Sequence, residues 1–343
     1  MIKRISTYLL LLTTALLGSC VEEYAYDNSP QGNFEALWSI IDERYCFLEY
    51  AREKHELCWD EMRTKYEPLV KKADSNAALF DILSEMLSEL RDGHVNLTSP
   101  YGTSYYWGWS LNHPANFSDS LQRNYLGDKF RYTNGIKYTT LPQNIGYAYV
   151  ESFSGTLNSD NLAIMLINLA DTKGLILDIR NNGGGQLTSA EKLAQHFTTQ
   201  KTHCGYIQHK TGKGHNDFSQ PEPLYIEPAS VVWKKPVVLL TNRGVYSAAN
   251  HFVMLMKPLE QVVVIGDKTG GGSGMPLSNT LPNGWTVRFS ACPILDREGK
   301  HTEFGIEPHG YINITSADWN RGRDTIIEQA IALIEEFFIK NNP

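Results

Sequence analysis

Four short apolar runs constrain this chain more than any other feature: Ile145-Gly-Tyr-Ala-Tyr-Val150, Gly174-Leu-Ile-Leu-Asp-Ile179, Val237-Val-Leu-Leu240 and Val262-Val-Val-Ile-Gly266. Each has the length of a buried strand and is too short for a buried helix. Segments with helical spacing lie between them. Leu162, Met165, Leu166 and Leu169 share one face of 159–170, Leu193, Ala194 and Phe197 one face of 188–197, and Ala248, Phe252, Leu255 and Met256 follow Ser247. Strand–helix alternation of this kind predicts an α/β sheet with parallel neighbours. Further strands are expected at 286–291 and 311–314, and an amphipathic helix closes the chain at 324–338.

Upstream the pattern changes. Phe34, Leu37, Trp38 and Ile41, then Leu79, Ile82, Leu83, Met86, Leu87 and Leu90, repeat with helical period, which predicts a small helical region over 33–98. The stretch 99–143 is irregular and aromatic, with Tyr105, Tyr106, Trp107 and Trp109 close together. Such residues usually fill the core of a small sheet; the alternative is an exposed platform lining a peptide or sugar groove. The α/β core is assigned to 144–343. A net charge of -7, with no basic run, argues against a nucleic-acid partner.

The first residues stand apart. Met1-Ile-Lys-Arg4 is basic, Tyr8 to Leu17 is apolar and too short to span a bilayer, and Leu17-Gly18-Ser19 precedes Cys20. This resembles a bacterial lipoprotein signal. It implies a signal peptide over 1–19, acylation of Cys20, a polar tether over 20–32 and a location at the cell envelope, on its periplasmic face or at the surface. A lipid anchor would then be the membrane partner. Four cysteines remain in an environment that permits disulfides, and a Cys46–Cys58 bridge is expected within the helical region. No Cys/His spacing predicts a zinc site.

Three places carry chemistry. Ser247 follows the 237–240 run after a break at Thr241 to Gly244, where a helical segment opens. A serine at a strand–turn–helix junction has free helix-start N–H groups beside its hydroxyl, which suits a nucleophile. Serine is also a preferred helix N-cap, and this stretch alone leaves both roles open. His94 falls at a helix-to-strand corner, Arg91-Asp92-Gly93-His94, where a histidine is commonly structural. The 174–179 run ends in Asp178-Ile-Arg180-Asn-Asn182-Gly183-Gly184-Gly185, whose bare N–H groups suit an anion cradle. It lacks the spacing of a P-loop or a dinucleotide fingerprint, and its alternative role is a turn braced by Asp178 and Arg180.

Taken together, Asp-x-Arg-x-Asn-x-Gly-Gly and a later serine before Ala-Ala resemble the tail-specific (C-terminal processing) and tricorn core peptidase family. The matching positions are Asp178, Arg180, Asn182, Gly184, Gly185, Asn242, Ser247 and Ala248. The resemblance spans roughly 87–314. It implies a crotonase/ClpP-like core (an open sheet with flanking helices), a peptide or unfolded-protein substrate, an acyl-enzyme on Ser247 and no metal or organic cofactor. In the tail-specific branch a lysine activates the serine; here Gly272 holds that position, and Lys268 belongs to the preceding motif. The tricorn-like branch uses a histidine from an Asp-x-His motif, present as Asp92-Gly93-His94, so the resemblance implies His94 as general base. A serine often precedes that histidine, where this chain has Gly93. The branch's glutamate maps to Glu303, with Glu307 as runner-up, and its oxyanion hole to the N–H groups of Gly184 and Ala248. Between His94 and Ile145 the chain is too short for a PDZ domain.

Two other classes of function compete. One is a catalytically inactive peptidase-fold protein that binds peptides; the other is an aromatic-lined, glycan-binding lipoprotein. A binder needs neither Ser247 nor His94, and both are present. The glycine-rich loops show no closely spaced carboxylate pair suited to glycoside chemistry.

Overall fold

The computed structural model describes residues 26–341. The expected signal, Cys20 and the start of the tether lie outside them. Helix α1 (Pro30–Arg44) opens at Ser29, whose hydroxyl accepts the Gly32 N–H, with Pro30 at the first helical position. It is followed by α2 (Leu48–His55), α3 (Trp59–Val70) and α4 (Asn76–Ser88). Ser75 caps α4 by accepting from the Ala78 N–H. Phe34, Leu37, Ile41, Tyr66, Leu79 and Leu83 form the shared core of these helices.

The chain then runs through β1 (Asn96–Ser99), β2 (Gly102–Thr103), α5 (Asp119–Leu126), β3 (Arg131–Thr133), β4 (Ile136–Leu141), β5 (Ile145–Val150), α6 (Ser159–Asn168), β6 (Leu175–Asp178) and α7 (Leu187–Gln195). Next come β7 (Thr202–Ile207), β8 (Glu222–Ile226), β9 (Val237–Thr241), α8 (Ala248–Met256), β10 (Val262–Gly266), β11 (Met275–Thr280), β12 (Thr286–Cys292) and β13 (Ile294–Asp296). It ends with β14 (Gly310–Tyr311), α9 (Ser316–Trp319) and α10 (Thr325–Asn341).

The main sheet has the order β14-β10-β9-β6-β5-β4-β3. Its β5, β6, β9, β10 and β14 neighbours are parallel, and the β3–β4 hairpin adds an antiparallel edge. From β5 onward each step moves the same way across the sheet, so right-handed crossovers put α6, α7 and α8 on one face. Strand alternation decides which side chain meets which layer. Val150, Leu177 and Leu239 pack with Leu162, Leu193 and Phe252 of those helices. Tyr147, Ile176, Val238 and Leu240 turn to the other face, against Ile326, Ile327 and Ile334 of α10.

Two features depart from the sequence reading. The aromatic segment 99–143 supplies β3 and β4 to the main sheet, and only Tyr138 of its aromatics is buried there, whereas Tyr105 and Trp107 are exposed. The second is a four-stranded antiparallel sheet, order β11-β12-β1-β2, that ties the helical region to the C-terminal half. Asn96 lies opposite Arg288 and Leu97 opposite Val287. Leu97, Val287 and Phe289 share the core of α1 and α4, which fixes β1 and therefore His94, two residues earlier. The expected Cys46–Cys58 bridge is not formed, and Cys46, Cys58, Cys204 and Cys292 are free thiols. Cys46 is held in the helical core with its N–H on Ser290 O at 3.0 Å, while Cys58 stands at the start of α3.

Candidate active site

Ser247 occupies the N-cap position of α8 without acting as a cap. Its φ of 57° and ψ of −124° place a side-chain-bearing residue in a region natural to glycine, and its hydroxyl makes no capping hydrogen bond. Such a conformation costs about 1–3 kcal/mol and persists only where the surroundings impose it. Here they do so through the backbone. Tyr246 N–H donates to Asn182 O at 3.0 Å, and Ser247 N–H donates to Gly271 O at 2.8 Å. The result directs Oγ toward His94, whose Nε2 lies 3.2 Å away.

His94 is buried, and burial chiefly pushes its basicity below the usual imidazole range; the Asp92 charge opposes this and Arg288 adds to it. A neutral imidazole beside a serine hydroxyl is the protonation state a general base requires. For Nε2 to accept from Oγ, the proton must sit on Nδ1, yet Nδ1 has no hydrogen-bond partner among the described residues. Neither has the buried Oε2 of Glu303. One ring nitrogen of His94 and one oxygen from each of Asp92 and Glu303 lie within 4.8 Å of one another. The imidazole thus shares one small buried space with two carboxyl groups, which can meet the charge it gains on accepting a proton. Burial, then repulsion from Asp92, pushes the Glu303 carboxyl well above its ordinary value. The structure leaves the runner-up, Glu307, on the surface, paired with Lys268 at 3.0 Å and accepting from the Tyr311 hydroxyl.

A histidine and two carboxylates can also ligate a cation. The Asp92 oxygens, however, already face donors: Oδ1 accepts the His94 N–H at 2.6 Å and Oδ2 the Tyr45 hydroxyl at 2.9 Å. This donor set fits an acid–base cluster better than a metal centre.

The glycine-rich loop is braced from below. Arg180, wholly buried, donates from Nε to Asp178 Oδ1 at 2.9 Å, from one terminal nitrogen to Asp178 Oδ2 at 2.6 Å and from the other to Asp324 Oδ2 at 2.9 Å. Asn182 donates to Val150 O at 3.0 Å and accepts the Gly184 N–H at 2.9 Å. That last bond bears on the expected oxyanion hole. Gly184 lies against the nucleophile, since a Cβ there would be 2.8 Å from both Ala248 N and Ser247 Cβ. Its N–H is nevertheless spent on Asn182, whereas the Ala248 N–H donates to no group among the described residues. Gly185, with φ 137°, lines the cleft beside it.

Two cavities flank Ser247, of about 420 and 400 Å³. Tyr105, Tyr106, Trp107 and Trp109 wall the first; Leu187, Met275, Pro276 and Ile294 line the second. The exposed aromatics are thus groove residues, the reading that the sequence placed second. Their rings step inward from Tyr105 to Trp107 to Trp109, and Trp109 stacks on Tyr246 with centroids 4.2 Å apart.

A model of peptidase family S41 matches residues 144–312, and one of the tricorn protease C1 domain matches 26–88. The carboxy-terminal processing protease CtpA of Bacillus subtilis is 29% identical over 168 residues, covering 48% of this chain and 34% of its own length. The chain thus spans about a third of that curated relative. A crystal structure of a proposed peptidase from Parabacteroides merdae is 48% identical, covers 90% of this chain and 97% of its own, and superposes with a TM-score of 0.85. The chain belongs to peptidase family S41. Mature CPAF, at 12% identity and a TM-score of 0.70, shares the fold.

In this S41 serine-type peptidase, one residue beside His94 was missed by sequence reasoning. Tyr246 stands T-shaped to the His94 ring at 5.0 Å. A Cβ at Gly93 would lie 2.6 Å from Trp109 Nε1 and 2.7 Å from the Tyr246 hydroxyl, and a Cβ at Gly272 would enter the Tyr246 ring. The space that a serine before the histidine, or a lysine at 272, would need is filled by this aromatic pair. The available signal was a large aromatic directly before Ser247 combined with glycine at both motif positions. Between His94 and Ile145 the S41 chain holds only short elements, β1 to β4 and α5 among them, and no PDZ domain.

Proposed function

We propose that this S41 peptidase is an endopeptidase that forms an acyl-enzyme on Ser247 with His94 as general base. The observation that carries the reading is the 3.2 Å contact between His94 Nε2 and a serine hydroxyl that a strained backbone keeps from capping its helix. His94 Nε2 takes the Ser247 proton as Oγ attacks a peptide carbonyl, and the imidazolium charge that results is met by Asp92 and Glu303 on the far side of the ring. The tetrahedral oxyanion is held by the Ala248 N–H and by a second N–H from the glycine-rich loop, Gly184 once it leaves Asn182. His94 then protonates the leaving amine, and water deacylates the enzyme by the same route. The cavities on either side of Ser247 suit a peptide running through the site rather than ending at it.

One observation favours a second reading, a peptide-binding protein without turnover: the Gly184 N–H is already engaged. The two separate cleanly. The full chain, purified in detergent, is incubated with a mixed peptide pool and new termini are read by mass spectrometry, with Ser247→Ala as the matched control. Wild-type cleavage that vanishes in the variant is expected. Silence from both sinks the endopeptidase reading, and cleavage by both removes Ser247 from the mechanism.

The N-terminal motif supports acylation of Cys20 and a place at the cell envelope. No helix among the described residues is long and apolar enough to cross a membrane. Cys20→Ser is expected to move the protein from the membrane pellet to the soluble fraction; unchanged pelleting overturns the anchor.

A further inference from the structure

We propose that Arg288 is a specificity residue that takes a carboxylate of the peptide substrate next to the scissile bond. The inference rests on the peptidase reading only in taking a peptide as the ligand. Arg288 lies on β12, whose alternation sends Val287 and Phe289 into the core and Arg288 to the cleft face, opposite Asn96. It is half-buried, and it lines both cavities, a position it shares with His94, Gly185 and Ser247. Its guanidinium therefore sits at the waist of the cleft, where the reacting bond must lie.

No acidic group among the described residues pairs with it. Among the described residues Arg288 makes no ion pair and its side chain makes no hydrogen bond, whereas Arg180 is paired with Asp178 and Asp324 and Arg243 donates to the Trp109 and Thr269 carbonyls. No Asp or Glu lines either cavity. The other ionisable groups there are His94, His251 (3.7 Å from Glu191) and three tyrosines. A guanidinium withdrawn from water without a partner is costly, and its planar fork suits a carboxylate held by two parallel bonds. The charge also lowers the basicity of His94, an effect that a bound carboxylate would offset. A peptide offers that group from an Asp or Glu side chain or from its C-terminus.

The test reads binding without turnover, so a wild-type protein that cleaves nothing removes the endopeptidase reading and leaves this one open to its own result. The full chain carrying Ser247→Ala is titrated with short fluorescein-labelled neutral peptides. In one set, amide-capped, a single Glu or Gln is walked along the sequence; in the other, the neutral parent has either a free or an amidated C-terminus. Binding about 10- to 100-fold tighter for Glu over Gln at a position marks a side-chain carboxylate, and the same advantage for the free acid marks the terminus. Either preference is expected to disappear on adding Arg288→Gln and to survive in part with Arg288→Lys, while the amidated neutral parent binds all three proteins alike. Equal affinity for charged and neutral peptides, a preference that outlives Arg288→Gln, or no binding at all overturns the proposal.

Discussion

His94→Ala is expected to lower kcat by about 10⁴-fold or more while the protein stays folded, because the proposed base is the one imidazole that contacts the Ser247 hydroxyl among the described residues. The wild-type pH profile carries a second signature. Activity needs the neutral imidazole, so it falls as pH drops through the His94 pKa. Burial places that pKa below the ordinary 6.5, and the acid limb of kcat/KM is expected below 6.5. The same shift has a consequence for stability. The unfolded chain protonates His94 more readily than the folded one, so folded-state stability is lost as pH falls below 6.5. His94→Ala removes that loss, and its thermal midpoint should decline less on acidification than the wild type's. An acid limb above 6.5, or a variant that keeps its rate, excludes His94 as the base.

Arg180→Met is the second large effect, and it falls on folding rather than chemistry. The variant strands Asp178 and Asp324, both wholly buried, without their shared cation. Removing one member of a buried ion cluster costs about 3–5 kcal/mol. At roughly 2–4 °C per kcal/mol, the midpoint drops by roughly 10 °C. The penalty should shrink toward acid pH as Asp324, whose carboxyl burial already pushes up, takes a proton, and Asp324→Asn should restore part of the loss. A midpoint within a degree or so of wild type, read by scanning calorimetry, would falsify the brace.

Ser247 shows where the amino-acid sequence runs out. The β9 strand, the following helix and the serine between them were legible from local pattern, as were the parallel order around them and the Asp178–Arg180 brace. Cap or nucleophile was not, because the answer lies in a positive φ imposed by Asn182 and Gly271, one of them far away in sequence. His94 was readable as a motif, but its approach to Ser247 depends on β1 pairing with β12, a non-local register that hydrophobic period does not encode. The aromatic stretch was misread for a related reason: composition gives the area a side chain could bury, not whether a partner layer exists to cover it. The Gly184 N–H is subtler still, since an amide that belongs to a recognisable loop can be diverted by a single side chain two residues away.

The fit of Trp109 and Tyr246 over Gly93 couples four positions that lie far apart in the chain. A side chain added at 93 alone would meet both rings, and one added at 272 alone would meet the Tyr246 ring. Positions 93, 109, 246 and 272 therefore cannot be exchanged independently: a serine at 93 or a lysine at 272 would need a ring to shift or shrink as well.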